Sequence, residues 1–129
     1  MNTIDQIASQ IVDAAFKIHS KLGPGLLESA YEACMAHELV KRGFMVERQR
    51  PQPVIYDEIE IEVGYRLDLL VNDSVIIELK AVEQLLPIHQ AQLLTYLKLS
   101  GKTLGFLINF NVPLIKQGIR RIANQFEEP

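Results

Sequence analysis

The spacing of apolar residues first follows a helical period. From Ile4 to Leu22 they recur at three- and four-residue steps, and Thr3 with Gln6 forms a capping-box pattern, so the sequence predicts an amphipathic helix. This helix is expected to end at residues 23–25, which read Gly-Pro-Gly. A second helix is predicted over residues 26–43. Its expected end is Gly43, which follows Lys41 and Arg42. Both helices precede every predicted strand.

The period then changes to two, which is typical of strands. Residues 45–57 contain Pro51 and Pro53, which cannot donate to a ladder, so an edge or interrupted strand with a turn near Asp57 is predicted. Residues 59–63 alternate isoleucine or valine with glutamate. This alternation predicts a half-buried strand with an acidic outer face.

A hairpin, a helix and further strands are predicted in the rest of the chain. The strands of the hairpin carry alternating apolar residues on either side of an Asn-Asp-Ser turn: Leu67, Leu69, Val71, Val75, Ile77 and Leu79. A helix is predicted over residues 87–101, an apolar strand over 103–110 and a short strand over 118–123. The predicted order is two helices, three or four strands, a helix and one or two strands. This order indicates one α/β (α+β) domain over residues 1–129, with a central mixed sheet flanked by helices.

Composition narrows the class of protein. The chain is 48% hydrophobic and 22% charged, as is typical of a folded domain that needs no metal for stability, so any metal is expected to be functional. The single cysteine and the lack of an apolar run of about 20 residues predict a cytoplasmic protein without a membrane partner. The net charge is −3, so nucleic acid would need a local patch or bridging cations.

The hairpin carries the strongest chemical signal. If its apolar residues share one face, Asp68 lies opposite Glu78 and Arg66 lies opposite Lys80, all on the other face. Directly opposed like charges are destabilising, and two carboxylates about 5 Å apart suit a divalent cation such as Mg²⁺. Lys80 could then offset charge on a phosphoryl group or orient a water. The alternative is a salt-bridged, solvated surface.

Glu28 is a third candidate acid. Its spacing places it on the same side of the second helix as Tyr31, Met35 and Leu39, and a carboxylate on an apolar stripe is costly unless it is paired or bound to a cation. The alternative is an acid favoured at the N-terminus by the helix dipole.

Gln92 and Tyr96 lie four residues apart on the predicted third helix and so face the same way. Both could reach a phosphate or a carboxylate-bound water. Tyr96 is equally well explained as a core residue.

Three short motifs resemble a known family. Residues 25–31 read G-x-x-E-x-x-Y, Asp68 with residues 78–80 reads D…E-x-K, and residues 92–96 read Q-x-x-x-Y. In this order they resemble the PD-(D/E)xK phosphodiesterase superfamily and its RecB-like nucleases, and in particular the small bacterial GxxExxY proteins. Leu67 stands where the superfamily name has proline.

The resemblance implies a restriction-endonuclease-like core and a set of catalytic residues, Glu28, Asp68, Glu78 and Lys80. It implies Asp68 and Glu78 as metal ligands, with Glu28 and the Leu79 carbonyl as further ligands. Gln92 and Tyr96 are the implied accessory pair, and Arg66 is a further candidate substrate contact.

Three hypotheses follow. The first is a Mg²⁺-dependent nuclease, with Mn²⁺ as a substitute, that hydrolyses a phosphodiester of DNA, or of RNA as the less favoured alternative, by metal-assisted attack of water. A homodimer would ease the cutting of both strands. The second is a non-catalytic module that keeps the fold and binds protein or nucleic acid. The third, binding or hydrolysis of a small nucleotide, is disfavoured because the chain has no glycine-rich phosphate loop.

Overall fold

Two helices come first in the computed structural model, which describes residues 2–124. They are α1 (Ile4–Leu22) and α2 (Glu28–Lys41). Thr3 caps α1 as predicted, because its Oγ1 accepts from the Gln6 backbone N–H while Gln6 Oε1 accepts from the Thr3 N–H. The second helix is two residues shorter at each end than the sequence predicts. Of the predicted domain over residues 1–129, residues 1 and 125–129 lie outside the described part of the chain.

Strands and a third helix follow. They are β1 (Val46–Pro51), β2 (Val54–Tyr56), β3 (Ile59–Ile61), β4 (Arg66–Val71), β5 (Val75–Lys80), α3 (Pro87–Ser100), β6 (Leu104–Asn109), a 3₁₀ turn (Ile115–Gly118) and β7 (Ile119–Ala123). The main sheet has the order β1-β4-β5-β6-β7, in which β5 and β6 are parallel and the other pairs antiparallel. Helix α3 provides the crossover between the parallel strands. The predicted mixed sheet flanked by helices is therefore confirmed.

The main sheet is buried on both faces. One face carries Leu69 and Ile77 and packs against α1 and α2, while the other carries Leu70 and Ile76 and packs against α3. Burial on both sides explains why β5 and β6 are almost continuously apolar. Within residues 2–124, no helix is long and apolar enough to cross a bilayer.

The prediction for residues 59–63 is wrong. Only residues 59–61 form a strand, β3, and it pairs with β2 in a separate two-stranded ribbon rather than with the main sheet. Ile59 is 61% exposed, so the alternating pattern does not correspond to a buried face. Pro51 ends β1, and the chain then leaves the sheet and pairs locally through a turn at Asp57 and Glu58.

The predicted register of the β4–β5 hairpin is confirmed for the pairs nearest the turn. Leu69 pairs with Ile77, and Val71 pairs with Val75 across the turn. The prediction for Leu67 is wrong, because this residue packs in the α3 layer and not beside Leu69 in the α1–α2 layer. The alternation of β4 therefore breaks at the residue between them, Asp68.

Candidate active site

Asp68 and Glu78 meet at the open end of the β4–β5 hairpin, beyond the last regular pair of the ladder, Leu69 and Ile77. The Asp68 N–H donates to Glu78 Oε2 at 2.8 Å, and the Leu79 N–H donates to Asp68 Oδ2 at 2.8 Å. Each carboxylate thus accepts from the backbone of the opposite strand, where a carbonyl would accept in a regular ladder. The two acids are cross-strand neighbours, as the register predicts.

The backbone of β4 is distorted at Asp68. In a regular strand Leu67 and Leu69 would point to the same face, but they pack in opposite layers. The neighbouring strand β1 is irregular at the same level. Gln49 and Asp68 do not pair in the β1–β4 ladder, although the residues on either side of them do, and Gln49 has a φ of 54°. The distortion turns the Asp68 N–H toward β5, where the Glu78 carboxylate accepts it.

The carboxylate pair is electrostatically strained. Glu78 is only 6% exposed, and burial, reinforced by the charge of Asp68, raises its pKa to about 8. Burial also raises the pKa of Asp68, against the lowering effect of the Leu79 N–H. At neutral pH both groups are therefore charged together only if a cation offsets the repulsion.

Lys80 and Glu28 lie in the same electrostatic neighbourhood. Partial burial raises the pKa of the Glu28 carboxyl, the Lys80 ammonium opposes this, and the Asp68 charge adds to it. Lys80 is half-buried at the end of β5, two residues after Glu78. Around the acid pair, the fold thus brings together the Lys80 cation and further acids, Glu28 and Glu32.

The placement of Glu28 on a buried stripe is wrong. Glu28 is the first residue of α2 and is exposed, whereas Tyr31, Met35 and Leu39 are fully buried. This carboxylate is therefore desolvated only in part, and that partial burial is what raises its pKa. Its position agrees with the alternative interpretation, an acid at a helix N-terminus.

Tyr31, the tyrosine of the G-x-x-E-x-x-Y motif, shapes the loop before α2. Its hydroxyl donates to the Gly23 carbonyl at 2.6 Å and accepts from the Leu26 N–H at 3.1 Å. Its ring stacks on Phe110 with centroids 4.3 Å apart. The tyrosine thereby fixes where α2 begins and, with it, the position of Glu28.

Tyr96 on α3 is both a core residue and a neighbour of the acid pair. It is 5% exposed, and burial together with the Glu78 charge raises its pKa to about 12, so its hydroxyl is protonated at neutral pH. The ring of Tyr65 lies 6.0 Å from its ring and is tilted by 56°. Tyr65, which sequence reasoning missed, is 45% exposed beside the site. Gln92 is half-buried one turn before Tyr96 on α3.

Sequence reasoning also missed Glu32 and Gln49. Glu32 is 8% exposed and accepts from Arg48 Nη2 at 3.1 Å and from Gln49 Nε2 at 2.5 Å. Gln49 Nε2 donates as well to Asp68 Oδ1 at 3.3 Å. The spacing of Glu32, four residues after Glu28, was an available signal. Gln49 gave none, because its contacts depend on an unusual backbone conformation.

The predicted pairing of Arg66 with Lys80 does not form. Regular β4–β5 pairing ends before these residues; Arg66 pairs with Pro51 of β1, and Lys80 pairs with Asn109 of β6. Arg66 is exposed, and its Nη1 donates to the Gln49 carbonyl at 3.2 Å. The splaying of the strands at Asp68 separates these two cations.

The donor set has the chemistry of a Mg²⁺ site. Asp68 and Glu78 offer carboxylate oxygens, and the Leu79 carbonyl points toward β4 because its N–H does so. Within residues 2–124, no three His, Cys, Asp or Glu side chains form a preassembled metal cluster. Mg²⁺ is commonly held by one or two carboxylates plus water and substrate oxygens, so the pair fits this ion.

Comparison with known proteins agrees with these observations. A family model described as the PD-(D/E)XK nuclease superfamily matches residues 5–122. Neither the curated proteins nor the solved structures contain a match. The matched range includes all the acidic and basic residues around the Asp68–Glu78 pair.

Proposed function

This chain belongs to the PD-(D/E)XK nuclease superfamily, and on that premise we propose that it is a Mg²⁺-dependent nuclease acting on DNA in preference to RNA. The observation that carries the proposal is the pair formed by half-buried Asp68 and buried Glu78, whose carboxylates repel each other at the end of an interrupted ladder. Residues 25–31 further suggest the GxxExxY branch of the superfamily. Mn²⁺, which prefers similar oxygen ligands, is expected to substitute for Mg²⁺.

Asp68, Glu78 and the Leu79 carbonyl would hold the cation, with Glu28 reaching it through water. A divalent cation at this position would polarise the phosphodiester and lower the pKa of a bound water. Because the raised pKa of Glu78 favours its protonated form at neutral pH, this residue must give up its proton when the cation binds.

The other side chains of the site would act on the substrate. The Lys80 ammonium orients the attacking water and offsets the negative charge that develops on the phosphate. The Tyr96 hydroxyl, protonated at neutral pH, donates to a phosphate oxygen, and Gln92 positions Lys80 or the substrate. Arg66, exposed at the start of β4, contacts the phosphate backbone.

Cleavage of labelled DNA and RNA in Mg²⁺ tests the proposal. We expect Asp68→Asn and Glu78→Gln each to lower the cleavage rate by about 10³-fold, or roughly 4 kcal/mol of barrier, because each removes a charged ligand. Glu60→Gln, on the exposed β3, is the matched control and is expected to cut like the wild type. Wild-type activity in both site variants would contradict the proposal.

A second candidate is a non-catalytic module that binds nucleic acid or protein through the same surface. It is favoured by one observation: burial raises the pKa of Glu78 to about 8, so a proton on Glu78 relieves the repulsion at neutral pH without any cation. Folded wild-type protein that binds DNA equally well with and without Mg²⁺, and does not cut it, would support this candidate.

Two further proposals rest on sequence alone. A cytoplasmic location is proposed from the single cysteine. A homodimer is proposed because a domain with one site would cut both strands more easily as a two-fold pair. Light scattering of the purified protein tests the second proposal directly.

A further inference from the structure

Gln49 combines a side chain that contacts two acids with an unusual backbone. Its Nε2 donates to Glu32 Oε1 at 2.5 Å and to Asp68 Oδ1 at 3.3 Å. Because ionised carboxylates only accept hydrogen bonds, the NH₂ end of the amide must face both acids, and its two hydrogens serve one acid each. The side chain therefore bridges α2 and β4.

The backbone of Gln49 lies in the left-handed region, with a φ of 54°. Residues other than glycine and asparagine rarely adopt this region, because their Cβ approaches the following carbonyl oxygen. The side chain of Gln49 is exposed, so core packing does not impose the conformation. A strained backbone that is kept without a packing reason is typical of functional sites.

The end of the bridge at Glu32 is anchored. Glu32 is buried on α2 and also accepts from Arg48 Nη2 at 3.1 Å and from Arg48 Nε at 3.2 Å. At the other end of the bridge, the Gln49 amide donates to Asp68 Oδ1. The main chain leaves this oxygen free, because the Leu79 N–H donates to Oδ2. Each oxygen of the Asp68 carboxylate thus accepts one hydrogen bond, and the two bonds together define its orientation.

We propose that Gln49 is a positioning residue: its left-handed backbone aims the amide at Asp68 and fixes the orientation in which this carboxylate meets Glu78 and a divalent cation. The inference rests on the proposed function. Hydrogen bonds behind metal ligands orient them, and their loss typically weakens metal binding by about 10- to 100-fold.

Two substitutions separate the amide from the backbone strain. Gln49→Gly removes the amide and also relieves the strain, whereas Gln49→Met removes the amide but keeps both the chain length and the strain. We expect both variants to bind Mn²⁺ about 10- to 100-fold more weakly than the wild type. We also expect cleavage to need correspondingly more Mg²⁺, with the rate recovering at saturating Mg²⁺.

Thermal unfolding without metal provides the second measurement. Gln49→Gly is expected to melt a few degrees above Gln49→Met, since only the glycine variant relieves the strain. If Gln49 only stabilised the fold, metal affinity would follow stability. Weaker Mn²⁺ binding by Gln49→Gly, the variant with the higher melting temperature, would then not be expected. Gln49→Gly remains decisive if Gln49→Met fails to fold.

The outcomes distinguish this inference from the proposed function. Wild-type protein that binds Mn²⁺ and cuts DNA, together with a folded Gln49→Gly variant that has wild-type Mn²⁺ affinity, would overturn the role of Gln49 alone. Wild-type protein that neither binds Mn²⁺ nor cuts would overturn the proposed function and this inference with it. Weakened Mn²⁺ binding in the glycine variant, with the Mg²⁺ requirement shifted, would establish Gln49 as a positioning residue.

Discussion

The two ends of the β4–β5 hairpin are built from the same strands but differ in character. Toward the turn, Leu69 and Val71 face Ile77 and Val75 in a regular ladder, and all four side chains are fully buried. Toward the open end, the ladder gives way to an acid pair whose side chains accept the backbone hydrogen bonds. The turn end stabilises the fold, and the open end is available for chemistry.

The comparison shows how a buried strand can carry charged groups. A buried N–H without a partner would cost about 1–3 kcal/mol, but the carboxylates of the open end accept from the backbone N–H groups there. Within residues 2–124, no buried side-chain nitrogen or oxygen lacks a hydrogen-bond partner. What is left uncompensated is charge repulsion, which a cation or a proton relieves.

The largest expected effect is on catalysis at the open end. Lys80→Met should lower the cleavage rate by about 10²- to 10³-fold, the range for loss of one group that stabilises charge in the transition state. Mn²⁺ binding should be retained, because Lys80 is not a metal ligand in our account. Equal losses of cleavage and of Mn²⁺ affinity would instead show that the lysine acts only through the metal site.

The turn end should behave in the opposite way. Ile77→Ala, which empties a fully buried position, should lower the free energy of unfolding by about 2–5 kcal/mol in urea titrations. Glu78→Gln, one residue away, should leave it unchanged or raise it, because the amide oxygen still accepts from Asp68 while the repulsion is lost. A larger loss of stability in Glu78→Gln than in Ile77→Ala would contradict this division between the two ends.

The pH dependence of stability sharpens the comparison. In the metal-free protein the pKa of Glu78 rises from 4.5 to about 8 on folding, so the folded state binds the extra proton between these values. Stability should therefore fall as pH rises from 4.5 to 8, with a slope of up to about 1.4 kcal/mol per pH unit from this group. Asp68, whose pKa is also raised, adds to the fall.

Urea titrations in EDTA at several pH values measure this slope. Glu78→Gln should flatten it, whereas Ile77→Ala should lower stability by a similar amount at every pH. A wild-type curve that is flat over this range, or that parallels the curve of Glu78→Gln, would show that Glu78 does not titrate abnormally.

The smallest expected effect concerns substrate binding beside the open end. Tyr65 has a ring that is 45% exposed next to Tyr96 and can stack on an unpaired base. Tyr65→Ala should raise the KM for single-stranded DNA about tenfold with little change in kcat. Tyr56→Ala, equally aromatic but on the exposed β2, is the control. The same KM in Tyr65→Ala and in the control would contradict a stacking role.

The sequence predicted the regular parts of the molecule well. Period-two alternation and the Asn-Asp-Ser turn sufficed for the hairpin register and for the meeting of Asp68 and Glu78, because local spacing determines both. The face of Leu67 and the contacts of Gln49 were not predictable in this way. They depend on a backbone distortion that arises only when β1, β4 and α2 are packed together.

Two other errors have related physical causes. Residues 59–63 alternate like a half-buried strand, but prolines at positions 51 and 53 take the chain out of the main sheet. Glu28 follows the spacing of the buried stripe, yet it is the first residue of α2 and is exposed, and burial on this helix begins only at Tyr31. Periodicity shows which residues share a side of an element, but not how far the neighbouring layer extends.

Calorimetric titration of Mn²⁺ into the wild type and Glu78→Gln tests the central claim most directly. It is best performed above pH 8, where proton competition at Glu78 is small. We predict saturable binding to the wild type and about 100-fold weaker or undetectable binding to the variant. Equal binding by both proteins, or no binding by the wild type at millimolar Mn²⁺, would contradict the assignment of Asp68 and Glu78 as a metal site.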